Sequence, residues 1–358
     1  MPLPIEKSRR KARGARTNAV SRYERFSREE EDDGWDIPED RDRFQTHVSD
    51  EHARTIISYN RSPDLPFDRS INPYRGCEHG CVYCFARPTH AYLGLSPGLD
   101  FETRLIARPN AAALLTRELR AKSYRAATLA IGTNTDPYQP IERDRLIMRD
   151  CLKVLAGCGH PVGIVTKGTL IERDLDILAP MAAHGLVRVG ISVTTLDPVL
   201  SRRMEPRAPA PARRLATIRK LADAGVPVRV MASPLVPGLT DAELEAILEQ
   251  GRNAGATAAS WIMLRLPLEV SFLWQDWLLE HYPNRVDRVM SKLREMHGGK
   301  TYSANWQKRM RGSGENATLI GARFKLAVRR LGLAESLPPL KTDLFEPPQC
   351  VGDQLQLF

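Results

Sequence analysis

Three thiols stand at spacing C-x3-C-x2-C in Cys77-Glu78-His79-Gly80-Cys81-Val82-Tyr83-Cys84, with Gly76 just before the run and Gly80 inside it. The glycines give the backbone freedom to curl so that three side chains converge on one face. Three thiolates without an evident fourth ligand describe a metal site with one open coordination position. A substrate or cofactor binds at such a position, so the pattern points to catalysis rather than to a structural clamp. A zinc site completed by His79 or His90 is the alternative, although structural zinc usually shows two paired-ligand knuckles and only one triplet occurs here. A disulfide would leave one of the three unpaired. Cys151, Cys158 and Cys350 are scattered and read as reduced bystanders.

The loop resembles that of the radical S-adenosylmethionine (SAM) superfamily, which also carries an aromatic before its third cysteine, here Tyr83. The resemblance implies a [4Fe-4S] cluster held by Cys77, Cys81 and Cys84, with SAM chelated on the remaining iron. It also implies reductive SAM cleavage to a 5′-deoxyadenosyl radical, with electrons from a reductant such as flavodoxin or ferredoxin.

The elements that must position the loop alternate strand and helix. Ser70–Arg75 predicts a first strand that delivers the cysteines at its carboxyl end. Further strands are expected at 128–131, 162–166, 187–193, 226–231 and 258–264. Helices are expected around 109–119, 143–155, 174–183, 211–224 and 241–253, the last with Thr240 as N-cap. Six βα units argue for a parallel sheet. The expected fold is a partial (β/α)6 TIM-type barrel over residues 68–266, as the resemblance also implies, with a doubly wound sheet as the alternative.

Barrel chemistry collects on loops after the strands, and polar residues stand at those places. Thr133, Thr135 and Asp136 lie in a Pro-bounded turn after the second strand, where hydroxyls and a carboxylate suit an ammonium group. The position corresponds to the segment that holds the SAM amino group in the superfamily, although its glycine-glycine-glutamate form is absent. Lys167 after the third strand could neutralise the SAM carboxylate. Ser192 and Thr194 on the fourth strand and Ser233 on the fifth could hold ribose or carboxylate oxygens; as single residues they also read as turn-formers or caps.

The rest of the chain is charged and uneven. The net charge is +9, with 42% hydrophobic residues, and no apolar run reaches membrane-spanning length. A basic amino terminus without an apolar h-region predicts a cytoplasmic protein. Residues 1–50 read as a charged, partly disordered extension: nine Lys or Arg against Glu24 from Lys7 to Arg28, then nine acids against Arg41 from Glu29 to Asp42. Tyr23 and Phe26 could stack on nucleic acid if that arm lay along it. Residues 51–67 read as an extended lead-in, and 267–337 as a basic helical subdomain. Trp261, Phe272, Trp274, Trp277 and Tyr282 read as core of that subdomain. From His281 to Arg330 twelve Lys or Arg face three acids, and Lys308, Arg309 and Arg311 are the candidates for following phosphates. A solvated helical face is the other reading. The Pro-rich tail, 338–358, reads as a lid or loose end.

The run Arg69–Cys77, the Thr133–Pro140 turn and Pro237-Gly238-Leu239-Thr240-Asp241 together resemble the superfamily branch of spore photoproduct lyase, a radical DNA-repair enzyme. They resemble more closely a bacterial subgroup of it often labelled DNA repair photolyase-like. Two departures stand out. Phe85 follows Cys84 where the lyase has tyrosine, and no cysteine lies between Cys84 and Cys151, where the lyase keeps a hydrogen-returning thiol. The expected function is radical SAM chemistry on a nucleic acid, in repair or modification. A peptide or small-molecule substrate is the alternative within the same chemistry, and a non-catalytic metal-dependent nucleic-acid binder is the alternative outside it.

Overall fold

The computed structural model describes residues 12–18, 22–23 and 44–349; Phe26 and Cys350 lie outside them. Ten strands are formed: β1 (His47–Asp50), β2 (Ile57–Tyr59), β3 (Arg69–Ile71), β4 (Tyr74–Arg75), β5 (Arg104–Ala107), β6 (Leu129–Ile131), β7 (Val162–Thr166), β8 (Val187–Ser192), β9 (Val228–Leu235) and β10 (Ala258–Met263). The main sheet has the order β10-β9-β8-β7-β6-β3-β2. Every neighbouring pair in it is parallel except β2 with β3. The six expected parallel strands are therefore β3, β6, β7, β8, β9 and β10, and the sheet is an open barrel.

These strands are short and apolar because helices cover the outer face while the inner face is also closed. In register across the sheet, Ile71 pairs Ile131, Ile131 pairs Ile164 and Ile164 pairs Val189, all buried. Helices Ile147–Gly157, Pro211–Asp223 and Leu244–Asn253 turn their buried stripes, such as Met148, Leu152 and Leu155, onto that layer. Among the described residues no helix is long and apolar enough to cross a membrane.

Several local expectations change. The helix foreseen over 143–155 is broken at Leu146, whose φ is +55°. The cause is buried Glu142, whose carboxylate accepts the amides of Met148 (3.0 Å) and Arg149 (3.3 Å) and so caps a second helix from outside. Thr240 occupies an N-cap position, but its hydroxyl accepts the Val236 amide (2.9 Å) instead of capping the helix. The strand expected over Ser70–Arg75 is split into β3 and β4, which lie in different sheets, and sequence reading missed β1, β2 and β5, because three or four residues carry no periodicity. The sheet does not close on itself. Residues 307–310 tie its two ends, since the Met263 amide donates to Met310 O (2.8 Å) while the Gln307 amide and the Arg309 guanidinium donate to Asp64 in the β2–β3 turn (2.6 Å each).

Trp261 sits on β10. Trp274 and Trp277 do form the core of the carboxyl-terminal helices, with stacked rings 4.9 Å apart. That second core also takes in Val82 and Tyr83 of the cysteine loop with Val289 and Leu293. The described part of the tail is neither lid nor loose end. Its Lys341 amide donates to Gly185 O (3.0 Å) and its Glu346 amide to Cys158 O (3.0 Å), in the turns that enter β8 and β7, at the opposite end of the strands from the cysteine loop. Phe345 meets the His160 ring edge-on at 5.2 Å.

His160 is fully buried, and its ring bridges Pro161 O (3.1 Å) and the Tyr124 hydroxyl (2.7 Å). Burial, assisted by the positive charge of Arg69, lowers its pKa from 6.5 to about 4. The folded state thus disfavours protonation, so this stability is complete above the unfolded value and is lost as pH falls from about 6.5 to about 4. Urea unfolding at pH 7 and pH 4 should show wild type losing about 3 kcal/mol more than a His160→Gln variant across that interval. Equal losses would mean that the imidazole is solvated.

Candidate active site

The cysteine loop leaves β4 and turns at the carboxyl end of the parallel strands, and its backbone polar groups are engaged almost one by one. Cys77 N–H donates to Phe101 O (3.0 Å), Val82 N–H to Met204 O (3.0 Å) and Arg207 N–H to His79 O (3.2 Å). Gln139 accepts the Glu78 amide (2.8 Å), and Thr135 donates to Gly76 O (2.6 Å). Arg87 lies beneath, fully buried, and donates to the carbonyls of Cys81 (2.9 Å), Gly80 (3.1 Å), Pro97 (3.1 Å) and Gly98 (2.7 Å). Its remaining donor meets Glu102, also fully buried, at 2.6 Å.

Glu102 brings in a segment that the sequence reading placed in a solvated arm. Its carboxylate accepts the amides of Gly14 (2.9 Å) and Ala15 (2.8 Å), while Arg13 donates to Glu102 O (3.0 Å) and Phe44 O (3.0 Å). A Cβ on Gly14 would stand 1.9 Å from Gly80 O, so the strap touches the loop backbone directly. Residues 12–18 of the charged extension are thus a strap folded against the loop, held by two buried charges and the bare glycine. Farther along, Tyr23 pairs with Tyr92 at 5.4 Å.

The loop turns Cys77 and Cys81 into buried positions and leaves Cys84 partly exposed. Burial pushes the Cys77 thiol well up, with Asp136 adding to the effect, and pushes Cys81 up to about 12. Thiols in this position need a cationic centre to persist as thiolates. Among the described residues no group of three His, Cys, Asp or Glu converges as the ligands of one ion would. Three soft thiolates on one loop are a donor set that a [4Fe-4S] cluster with one open iron accepts. Cys151 and Cys158 sit in the sheet–helix core.

Around the loop, two carboxylates are saturated. A carboxylate has about four lone-pair sites, and Asp136 fills them with the Tyr138 amide (2.9 Å), the Thr166 hydroxyl, the Lys167 amide (2.8 Å) and His79 Nδ1 (3.3 Å). Burial alone would raise Asp136, but His79 and these donors hold it well below the usual carboxylate range. Glu205, also buried, accepts from the Tyr83 hydroxyl, Thr194 (2.7 Å) and Arg214; the charges of Arg214 and Lys167, with the Arg214 and Tyr83 hydrogen bonds, offset burial and hold it at about 2. Sequence reading missed Glu205, Arg214, Glu102 and Arg87, since no local spacing marks a buried ion pair.

Lys167 is different. Its ammonium has no hydrogen bond or ion pair among the described residues, and Nζ lies 5.7 Å from the Tyr83 ring centre. Burial would lower its pKa, yet the facing Cys81 sulfur and Glu205 raise it, so it stays charged. Ser233 is buried with an unpartnered hydroxyl. Ser192 accepts Arg214 on its carbonyl (3.1 Å), and Thr133 reaches Asn72 (3.4 Å). Tyr83, Asp136 and Lys167 thus meet the cysteine loop, while Thr135 is spent on the loop backbone. Of the basic trio, Arg309 is paired to Asp64 (2.6 Å) and Ser62, Arg311 lies over Trp261 (5.4 Å), and Lys308 is exposed.

The sequence matches the radical SAM superfamily over residues 71–251. The chain belongs to that superfamily. It is 40% identical over 265 residues to an uncharacterised protein of Mycobacterium tuberculosis, covering 74% of this chain and 76% of the relative. An uncharacterised protein of Methanocaldococcus jannaschii is 26% identical over 223 residues, 62% of this chain and 79% of that protein. A solved mutant of spore photoproduct lyase with bound AdoMet and dinucleoside spore photoproduct superposes with a TM-score of 0.57 at 16% identity, over 80% of this chain and 81% of that chain. That likeness is one of fold, and it is the radical SAM fold. Family membership implies a [4Fe-4S] cluster and SAM.

Truncating Glu102 to Ala strands the Arg87 guanidinium in the interior and should cost about 3–5 kcal/mol in urea unfolding. Gly14→Ala should cost about 1–3 kcal/mol and displace the strap. Both variants should lose iron from the reconstituted protein faster than wild type. Unchanged iron retention would show that the strap does not hold the loop.

Proposed function

We propose that the protein is a radical SAM enzyme acting on a nucleic acid. The observation that carries the reading is the cysteine loop held at the carboxyl end of an open parallel barrel beside an unpaired ammonium. Cys77, Cys81 and Cys84 would hold the [4Fe-4S] cluster, with Tyr83 packed behind it. When bound, cluster and SAM supply one-electron cleavage of the sulfonium and hydrogen abstraction from the substrate, with a reductant such as flavodoxin or ferredoxin as electron source.

The chain's own residues divide the work. Lys167 is the charged donor available for the SAM carboxylate, and the Ser233 and Ser192 hydroxyls are free to meet polar atoms of the same molecule. Asp136 acts through others: with its lone pairs spent, it ties His79 of the loop to the end of β7 and so fixes Lys167 relative to the cysteines. Thr135 likewise positions the loop, and Thr133 stands at its rim. Tyr83, kept protonated by burial and by the charge of Glu205, donates to Glu205 and closes the floor. The nucleic-acid assignment draws on the regional basicity and on the substrate of the lyase that shares the fold. Among the described residues no thiol outside the trio reaches the mouth, so a reaction completed by a thiol hydrogen donor is not part of the reading.

Anaerobic reconstitution should load about four irons, and Ala at Cys77, Cys81 or Cys84 should abolish the cluster absorbance while Ala at Cys151 or Cys158 should not. Lys167→Ala should keep the cluster and weaken SAM binding by about 1.5–3 kcal/mol. Asp136→Ala should impair both. Stoichiometric zinc without iron, or SAM titrations indifferent to Lys167, would overturn the assignment.

A further inference from the structure

Beside β10 the segment 297–313 folds over a cavity of about 230 Å³. Its polar lining is His297, Lys300, Ser303, Asn305, Lys308 and Ser313, and no Asp or Glu contributes. Lys300 and Lys308 are exposed, and neither ammonium has a hydrogen bond or ion pair among the described residues. His297 is 5% exposed, and its ring faces the Leu264 carbonyl without a well-formed hydrogen bond.

The cavity lies at the carboxyl end of helix Val286–Met296, where exposed carbonyls would repel an anion. Here they are consumed: Leu293 O accepts the His297 amide, Arg294 O the Gly299 amide, Glu295 O the Gly298 amide and Met296 O the Ser313 amide. Glu295 itself turns away to Asn316. What remains facing the space is two cations, two hydroxyls, an amide and an imidazole. The volume equals about seven or eight water-sized groups, enough for a phosphate and its ester carbons but not for a nucleoside. Next to it, sharing Asn305, the Trp306 indole is 60% exposed.

A chain of side-chain contacts also runs from the cavity wall to the cysteine loop. The Tyr302 ring packs 5.7 Å from His297, Arg265 reaches the Tyr302 hydroxyl (3.5 Å), and the Arg265 guanidinium lies 4.6 Å over Phe85, the neighbour of Cys84.

We propose that this pocket binds a phosphate ester of a nucleotide chain, with Lys300 and Lys308 on the phosphate oxygens and Trp306 stacked on the attached base. It rests on the reading of the mouth as the active site and names the part of the substrate held away from the chemistry. Ser303 and Asn305 would supply the further donors, since the Ser313 hydroxyl already donates to Met296 O (3.4 Å) and the neutral His297 ring faces Leu264 O.

The test is an anisotropy titration of the reconstituted protein with a labelled short oligothymidylate, using inorganic phosphate and thymidine 5′-monophosphate as competitors. Lys300→Ala with Lys308→Ala should weaken binding about 100-fold, about tenfold for each charged donor. It should also reduce the slope of log affinity against log salt by about one. Lys122→Ala with Lys325→Ala removes the same charge from exposed positions elsewhere and should change little. Trp306→Ala should weaken the oligomer about tenfold while leaving competition by inorganic phosphate unchanged. Competition by the monophosphate equal to that by the unlabelled oligomer would identify a free nucleotide as the ligand of the same pocket. No binding by wild type, or equal losses in the two lysine pairs, would overturn the pocket. SAM cleavage measured on the same preparations separates the two readings: intact cleavage with pocket-independent binding overturns the pocket alone, and absent cleavage with pocket-dependent binding overturns the enzymatic reading alone.

Discussion

Everything at the mouth depends on a carboxylate that never meets solvent. Glu102 is fully buried and accepts from Arg87, Gly14 and Ala15, while Arg87 spends its other donors on four carbonyls around the cysteine loop. A loop can turn three thiols to one side only if its own N–H and C=O groups are satisfied on the other. Here that demand is met by one guanidinium, and the guanidinium tolerates burial because Glu102 neutralises it. The amino-terminal strap is part of the same arrangement, since its peptide groups complete the coordination of Glu102.

The other buried acids follow the same logic, and together they determine the electrostatics of the site. Asp136 and Glu205 are both held ionised, and both have their oxygens occupied by protein donors. Negative charge at the mouth is therefore internal and committed, whereas the Lys167 ammonium is left to act outward. An arrangement of this kind favours a ligand that arrives with a carboxylate. The carboxyl-terminal helices reinforce it mechanically, because Trp274 and Trp277 share one apolar cluster with Val82 and Tyr83. A change in the helical region is thus felt at the cysteines.

Much of this could be read in the sequence, and where it could the reason is local. The spacing of Cys77, Cys81 and Cys84 within eight residues marks a metal-site loop, which the family resemblance reads as a cluster site, and six strand–helix alternations mark a parallel sheet by periodicity within ten or so residues each. Trp274 and Trp277 announced a helical core by type and spacing. Lys167 was found because a charged residue directly after a buried strand must emerge at the carboxyl end of the sheet.

Other features were decided only when distant segments met. Asp136 looked like a ligand for an ammonium group until His79 and the end of β7 took its lone pairs. Arg309 looked free until Asp64, separated from it by 245 residues, paired with it. The strap looked like solvated arm until Glu102, 88 residues beyond Gly14, bound its amides. Residue type and spacing determined which chemical groups this chain carries and the direction of each strand that presents them. The tertiary structure alone decided which groups are consumed by one another and which are left for a ligand. Hydrogen-bond partnership depends on proximity in space, and packing brings together residues that no sequence window contains.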